Sequence, residues 1–174
     1  MSKILFLAGI HGVGKSTLAE FLSDETGMQH YSSSELIKAQ KQAPVDIKRS
    51  VIDPEDNQSY LLKALDRVIS EHQLLILDGH FTLWDGKKIY RVSRSLFEAL
   101  PIAGVILLVG DPQDTSFRLQ RRDSQRWSIN DIISLQDEEI SQAKATCHSL
   151  NLPFLIVDGS YDSDLLAWVR GILE

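Results

Sequence analysis

The chain has 174 residues, 43% hydrophobic and 24% charged, with 18 Lys and Arg against 24 Asp and Glu for a net charge of −6. That length suits one domain with a real core and excludes disorder as the default state. The acidic balance excludes a general nucleic-acid binder, which needs a broad positive field, and the single cysteine, Cys147, excludes an intramolecular disulfide or a cysteine-based zinc site.

The opening segment MSKILFLAGI has one lysine and a short apolar run broken by glycine. It is too short for a membrane span and carries no plausible signal cleavage site, which points to the cytoplasm and to no membrane partner. Residues 4–8 form the first of four short runs that are apolar without alternation; the others are 74–77, 105–109 and 154–157. Such runs read as strands covered on both faces of a parallel sheet. A weaker fifth strand is expected around 28–31.

Directly after the first run, Gly9-Ile10-His11-Gly12-Val13-Gly14-Lys15-Ser16 satisfies G-x-x-x-x-G-K-[ST]. Glycines let backbone N–H groups turn inward around a phosphate, and the helix that follows aims its partial positive charge at the same anion. Lys15 is expected to reach the β- and γ-phosphates of ATP, and Ser16 to ligate Mg²⁺. Thr17 closes the motif. His11 fills a variable slot, where its backbone N–H is the useful group. Leu18, Ala19, Phe21 and Leu22 give the apolar stripe of this first helix.

Ser32 followed by Glu35 has the form of a capping box opening a helix through about residue 40. The stretch 43–57, with two prolines and scattered charge, reads as an excursion from the sheet. Leu61, Leu62, Leu65, Val68 and Ile69 mark the next helix, and the strand at 74–77 ends in Asp78-Gly79-His80. A carboxylate at the end of a strand beside the phosphate loop is placed to hold Mg²⁺ through water, as a Walker-B aspartate does; a plain Asp-Gly turn is the alternative. His80 either points into an acceptor pocket or sits in that turn.

Asp111-Pro112 reads as an N-cap and first-turn proline of a further helix. Arg118, Arg121, Arg122 and Arg126 then place four guanidinium groups within nine residues of an acidic chain. Arginine's planar fork suits phosphate, and such a cluster folded over a nucleotide offsets charge on the transferred phosphoryl group. Ile129, Ile132, Ile133, Ile140, Ala143, Cys147 and Leu150 mark the longest helix. Gln136 lies within its stripe, either holding the junction or contacting an acceptor base. A last helix runs from about 165 to 173. Trp84 and Trp127 either stack on a base or cover apolar surface. Strand and helix alternate throughout, so the fold class is α/β with a parallel sheet between two helical layers.

A phosphate loop alone does not separate kinases from GTPases and motor ATPases. Residues 109–114 lack the N-K-x-D of a GTPase, and the chain is short for a remodelling ATPase. A small-molecule kinase remains. The motifs at 9–17, 78–82 and 118–126, with Gln136 before the long helix, resemble those of the adenylate kinase-like P-loop nucleoside monophosphate kinases, most closely the short archaeal type. In that family the third strand ends Asp-x-His, matched by Asp78 and His80, and a short lid contains Asp-x-x-Arg, matched by Asp123 and Arg126. The resemblance implies a five-stranded P-loop NTPase sheet in the order 2-3-1-4-5 and transfer of the ATP γ-phosphoryl to a nucleoside monophosphate, usually AMP, with Mg²⁺. It implies one kinase domain over 1–174, with an acceptor excursion at about 32–57 and a lid at about 118–130.

Under this reading Lys15, Asp78, Arg118, Arg122 and Arg126 carry catalysis; Ser34, Lys38, His80 and Arg91 are the acceptor-side candidates. The common bacterial enzymes clamp the acceptor phosphate with an arginine after strand two, where this chain offers only Lys38, then Lys41, Lys48 and Arg49. Two other functions stay open. One is a kinase for a hydroxyl-bearing metabolite or nucleoside, with Asp78 as the base. The other is a protein that uses ATP only as a switch.

Overall fold

A computed structural model describes residues 3–42, 54–122 and 127–173. In chain order the elements are β1 (Lys3–Ala8), α1 (Lys15–Thr26), β2 (Gln29–Ser32), α2 (Ser33–Gln42), α3 (Pro54–Glu71), β3 (Leu74–Gly79), β4 (Thr82–Trp84), β5 (Ile89–Arg91), α4 (Arg94–Ala99), β6 (Ile102–Leu108), α5 (Pro112–Arg122), α6 (Ile129–Leu150), β7 (Phe154–Val157) and α7 (Ser163–Leu173). The main sheet is ordered β2-β3-β1-β6-β7 and every neighbouring pair is parallel. Counting only its strands, this is the expected 2-3-1-4-5.

The apolar runs lack alternation because both faces of each strand are covered. On β1, Leu5 and Leu7 join one core with Leu18 and Leu22 of α1 and Leu165 and Val169 of α7. Ile4, Phe6 and Ala8 join the other, with Leu61 and Leu65 of α3 and Leu96 and Phe97 of α4. Each fully buried Leu, Ile or Phe contributes about 1.5–3 kcal/mol relative to exposure, so the two covered faces together anchor β1 at the centre of the sheet. α6 contributes Ile132 and Leu135 to the first core and Ala143 and Cys147 to the second. It therefore straddles the sheet rather than lying on one face.

The expected cap of α5 is present, and α6 carries one that was not expected. Asp111 Oδ1 accepts from the backbone N–H groups of Gln113 and Asp114 at 2.8 and 3.1 Å, and Ser128 caps α6 by accepting from Asp131 N at 3.0 Å. The antiparallel ribbon β4-β5 and the short helix α4 were not expected from apolar periodicity, because three-residue strands are too short to show any. Their signal is the turn chemistry between them. Asp85 accepts from the N–H groups of Lys87 and Lys88, and Gly86 has φ of 93°. Among the described residues no helix is long and apolar enough to cross a membrane. Residues 43–53 of the expected excursion, and Asp123 and Arg126 of the expected lid, lie outside the described residues.

Candidate active site

The phosphate loop connects β1 to α1, as the motif requires. Gly14 is the N-cap of α1 with φ of 111°, and no side chain caps the helix. Its first-turn N–H groups therefore face an open cleft of about 520 Å³ at the carboxyl ends of the strands. Gly12, at φ of 76°, could carry a side chain only with strain, since a Cβ would lie 2.7 Å from the Leu119 side chain of α5.

Lys15 Nζ donates to the carbonyls of Gly9 at 2.7 Å and Ile10 at 3.1 Å. Burial pushes its ammonium down to a pKa of about 8; the negative charges of Asp78 and Glu139 oppose that shift, and Arg122 adds to it. Ser16 and Thr17 line the cleft beside it. Val13 does something different: its side chain is buried in the first core, and its carbonyl accepts from Arg118 at 2.9 Å. The same guanidinium reaches Gly12 O at 3.1 Å. Arg118, Arg121 and Arg122 all line the cleft from α5, and of these Arg118 bonds the loop itself.

Across the cleft the chemistry changes. Asp78, at the end of β3, is paired through Oδ2 with His30 Nε2 of the adjacent β2 at 2.6 Å. Its backbone carbonyl accepts from Ser33 Oγ at 2.6 Å. His80 Nδ1 donates to Gly9 O at 2.7 Å, which fixes the tautomer and leaves Nε2 as an acceptor. Burial first, then the charges of Lys15 and His11, hold the His80 imidazole well below its ordinary pKa, so it is neutral. The rings of His80 and His11 lie 4.2 Å apart. Ser32, Ser34 and Glu35 complete this side.

Behind the two histidines lies an apolar slot of about 180 Å³ between α2, α3 and the β4-β5 ribbon, walled by Phe6, Ile37, Leu61, Leu83 and Leu96. Asn57 Oδ1 is buried on its wall without a partner among the described residues.

The structure does not bring Lys38 or Arg91 into the cleft. Lys38 is exposed on α2. Arg91 is 65% exposed on β5 and its Nε donates to Glu138 at 2.7 Å. Gln136 grips Gly110 from both sides, accepting from its N–H at 2.9 Å and donating to its carbonyl at 3.1 Å. The rings of Trp84 and Trp127 lie 6.1 Å apart against the first core, covering apolar surface. Sequence reading missed His30 and Glu139. Glu139, on α6, is buried and accepts from Phe81 and Thr82. Neither has a local motif; each enters the site only through a partner about 50 residues away.

Magnesium bound together with a nucleotide takes oxygens from the phosphates, so a protein need supply only one or two oxygen ligands to it. Ser16 and Asp78, lining the same cleft, are oxygen donors that fit this. Among the described residues no group of three or more His, Cys, Asp or Glu side chains is placed to hold a metal ion.

A sequence family described as "AAA domain" matches residues 8–136. No curated protein matches the chain. Among solved structures, a gluconokinase from Sinorhizobium meliloti 1021 superposes with a TM-score of 0.52 at 16% identity, covering 99% of this chain and 89% of that one. An unliganded sugar kinase from Janibacter sp. HTCC2649 gives 0.58 at 16% identity, covering 98% and 95%. At that identity the likeness is one of fold.

Proposed function

The chain belongs to the AAA domain family, and from that premise we propose that it is an ATP-dependent phosphotransferase acting on an uncharged, hydroxyl-bearing small molecule. The observation that carries this reading is the Asp78–His30 pair at 2.6 Å on the side of the cleft opposite the arginines. A phosphate acceptor is already anionic near neutral pH and needs a cation, not a base. Among the described lining residues the cations sit on the nucleotide side, while Glu35 and Asp78 make the acceptor side acidic. An acidic wall repels a monophosphate and suits a neutral hydroxyl. The names of the two kinases of like fold, a gluconokinase and a sugar kinase, agree with a hydroxyl rather than a phosphate as the acceptor; the absence of charge rests on the acidic wall alone.

In this mechanism the loop N–H groups and Lys15 hold the β- and γ-phosphates, and Arg118 and Arg122 face the charge spreading over the transferred group. Ser16 would hold Mg²⁺, which would supply positive charge to offset that of the phosphates. Asp78 takes the proton of the acceptor hydroxyl; that oxygen bonds to the γ-phosphorus as the bond to the β-phosphate oxygen breaks, and ADP leaves. His30 orients the Asp78 carboxylate, and His80 Nε2 accepts a hydrogen bond from the acceptor. The apolar slot receives the acceptor's carbon skeleton or ring.

The test is ADP formation from Mg-ATP against a panel of polyols, sugars, nucleosides and nucleoside monophosphates. A neutral hydroxyl compound is expected to stimulate it, and Lys15→Ala to abolish it. Stimulation by a monophosphate alone would overturn the reading in favour of the monophosphate kinase. Turnover indifferent to every acceptor would leave ATP as a switch.

A further inference from the structure

Two polar side chains of α6, Gln136 and Glu139, stand almost one turn apart and reach main chain on opposite sides of the phosphate loop. Glu139 is 1% exposed. Its Oε1 accepts from Phe81 N at 2.9 Å; its Oε2 accepts from Phe81 N at 3.1 Å, Thr82 N at 2.7 Å and Thr82 Oγ1 at 2.6 Å. Those two residues follow Asp78-Gly79-His80 directly. Gln136 grips Gly110, just beyond β6, where a Cβ would lie 2.9 Å from the Val13 side chain of the phosphate loop. β3 and β6 are the two neighbours of β1 in the sheet.

A carboxylate removed from water is costly unless donors converge on it, and an apolar residue would fill this part of the helix without that cost. Three donors of a single short segment do converge here. The arrangement fixes the Phe81 and Thr82 amides in direction as well as in place, and the chain entering them carries the acceptor-side groups.

We propose that Glu139 is a positioning residue: through Phe81 and Thr82 it sets His80 and Asp78 against the acceptor, while Gln136 on the same helix sets the nucleotide loop through Gly110. The proposal rests on the phosphotransferase reading, and it divides the two clamps between two kinetic parameters. Glu139→Gln keeps the size of the side chain and replaces one accepting oxygen by an NH₂ that faces N–H donors. At pH 6, well below the Lys15 pKa of about 8, so that loss of the Glu139 charge leaves that ammonium protonated, the expected result is a fall in kcat of about 10- to 100-fold with KM for Mg-ATP within about twofold, since misplacement near 1 Å costs on that scale. Gln136→Met is expected to raise KM for Mg-ATP about fivefold or more with kcat within about twofold.

A readout independent of turnover is the ¹⁵N spectrum of labelled histidine. The wild type is expected to show His80 protonated at Nδ1, and Glu139→Gln to shift that signal while leaving His148 in place. Thr82→Val removes one donor and leaves the carboxylate on two amides. It is expected to give the same pattern at smaller size, about threefold in kcat, and it carries the test should Glu139→Gln fail to fold. A folded Glu139→Gln with an unmoved His80 signal overturns the proposal whatever the acceptor proves to be, as does a change by both α6 variants in the same kinetic parameter. Absence of any acceptor turnover together with a shifted His80 signal would refute the phosphotransferase reading and leave the positional claim standing.

Discussion

Lys15 makes the nucleotide site sensitive to alkaline pH. With no nucleotide, its ammonium is buried against the carbonyls of Gly9 and Ile10, and its pKa falls from an ordinary 10.5 to about 8. A polyphosphate replaces those neutral partners with anionic oxygens and favours the protonated form. Affinity then follows the fraction of empty protein already protonated, about nine-tenths at pH 7, half at pH 8 and one-eleventh at pH 9, so binding weakens by about tenfold, or about 1.4 kcal/mol, between pH 7 and 9. The sign for stability is the reverse. The unfolded chain holds more protons on this lysine between pH 8 and 10.5, so its contribution to the empty protein's stability improves as pH rises through that window. Calorimetric titration with a non-hydrolysable Mg-ATP analogue, in two buffers of different ionisation enthalpy, is expected to show uptake of about half a proton at pH 8 and more at pH 9. Lys15→Arg carries a charge that does not titrate there and is expected to show neither the uptake nor the alkaline loss. Wild-type affinity that is flat to pH 9 without proton uptake would refute the desolvated-ammonium argument.

Asp78→Asn is expected to lower kcat by about 10²- to 10⁴-fold, the usual span for a lost base, and added Mg²⁺ is expected not to restore it. Partial recovery at high Mg²⁺ would instead assign the carboxylate to the metal and return the acceptor to the phosphate class. Gly12→Ala places a Cβ 2.7 Å from Leu119 Cγ at a φ of 76°. A strain of about 1–3 kcal/mol is expected, lowering Tm by about 2–10 °C in thermal unfolding and weakening nucleotide binding as well; an unchanged Tm would contradict the loop geometry.

The sheet was legible because burial on both faces writes itself into composition: 4–8, 74–77 and 105–109 have no polar residue to assign outward, and only a covered parallel strand needs that. The helices were legible through period and, at Asp111, through a cap, whereas the Ser128 cap of α6 emerged only in the structure. What periodicity could not carry was anything shorter than its own repeat. β4 and β5 have three residues each, and the Asp85-Gly86 turn joining them is a local signal that points to a hairpin only when its flanks are read as strands.

The two sides of the cleft were unequally legible for a related reason. The nucleotide side is built from one contiguous loop and one run of arginines, so its chemistry is adjacent in sequence. The acceptor side is assembled from β2, α2, β3 and α6, and its members are informative only in pairs: His30 without Asp78 is an edge-strand imidazole, and Glu139 without Phe81 and Thr82 is one more acid on a helix rich in them. The family resemblance implied an acceptor phosphate, with Arg91 among its candidate contacts, yet Arg91 is tied to Glu138 in solvent, where such a pair is worth about 0–1 kcal/mol. A cation counts toward recognition by where it points. By that criterion the proposal gives the described arginines of the cleft to the nucleotide, and leaves to the acceptor Asp78, Glu35 and the neutral His80 imidazole, groups suited to taking a proton from a hydroxyl.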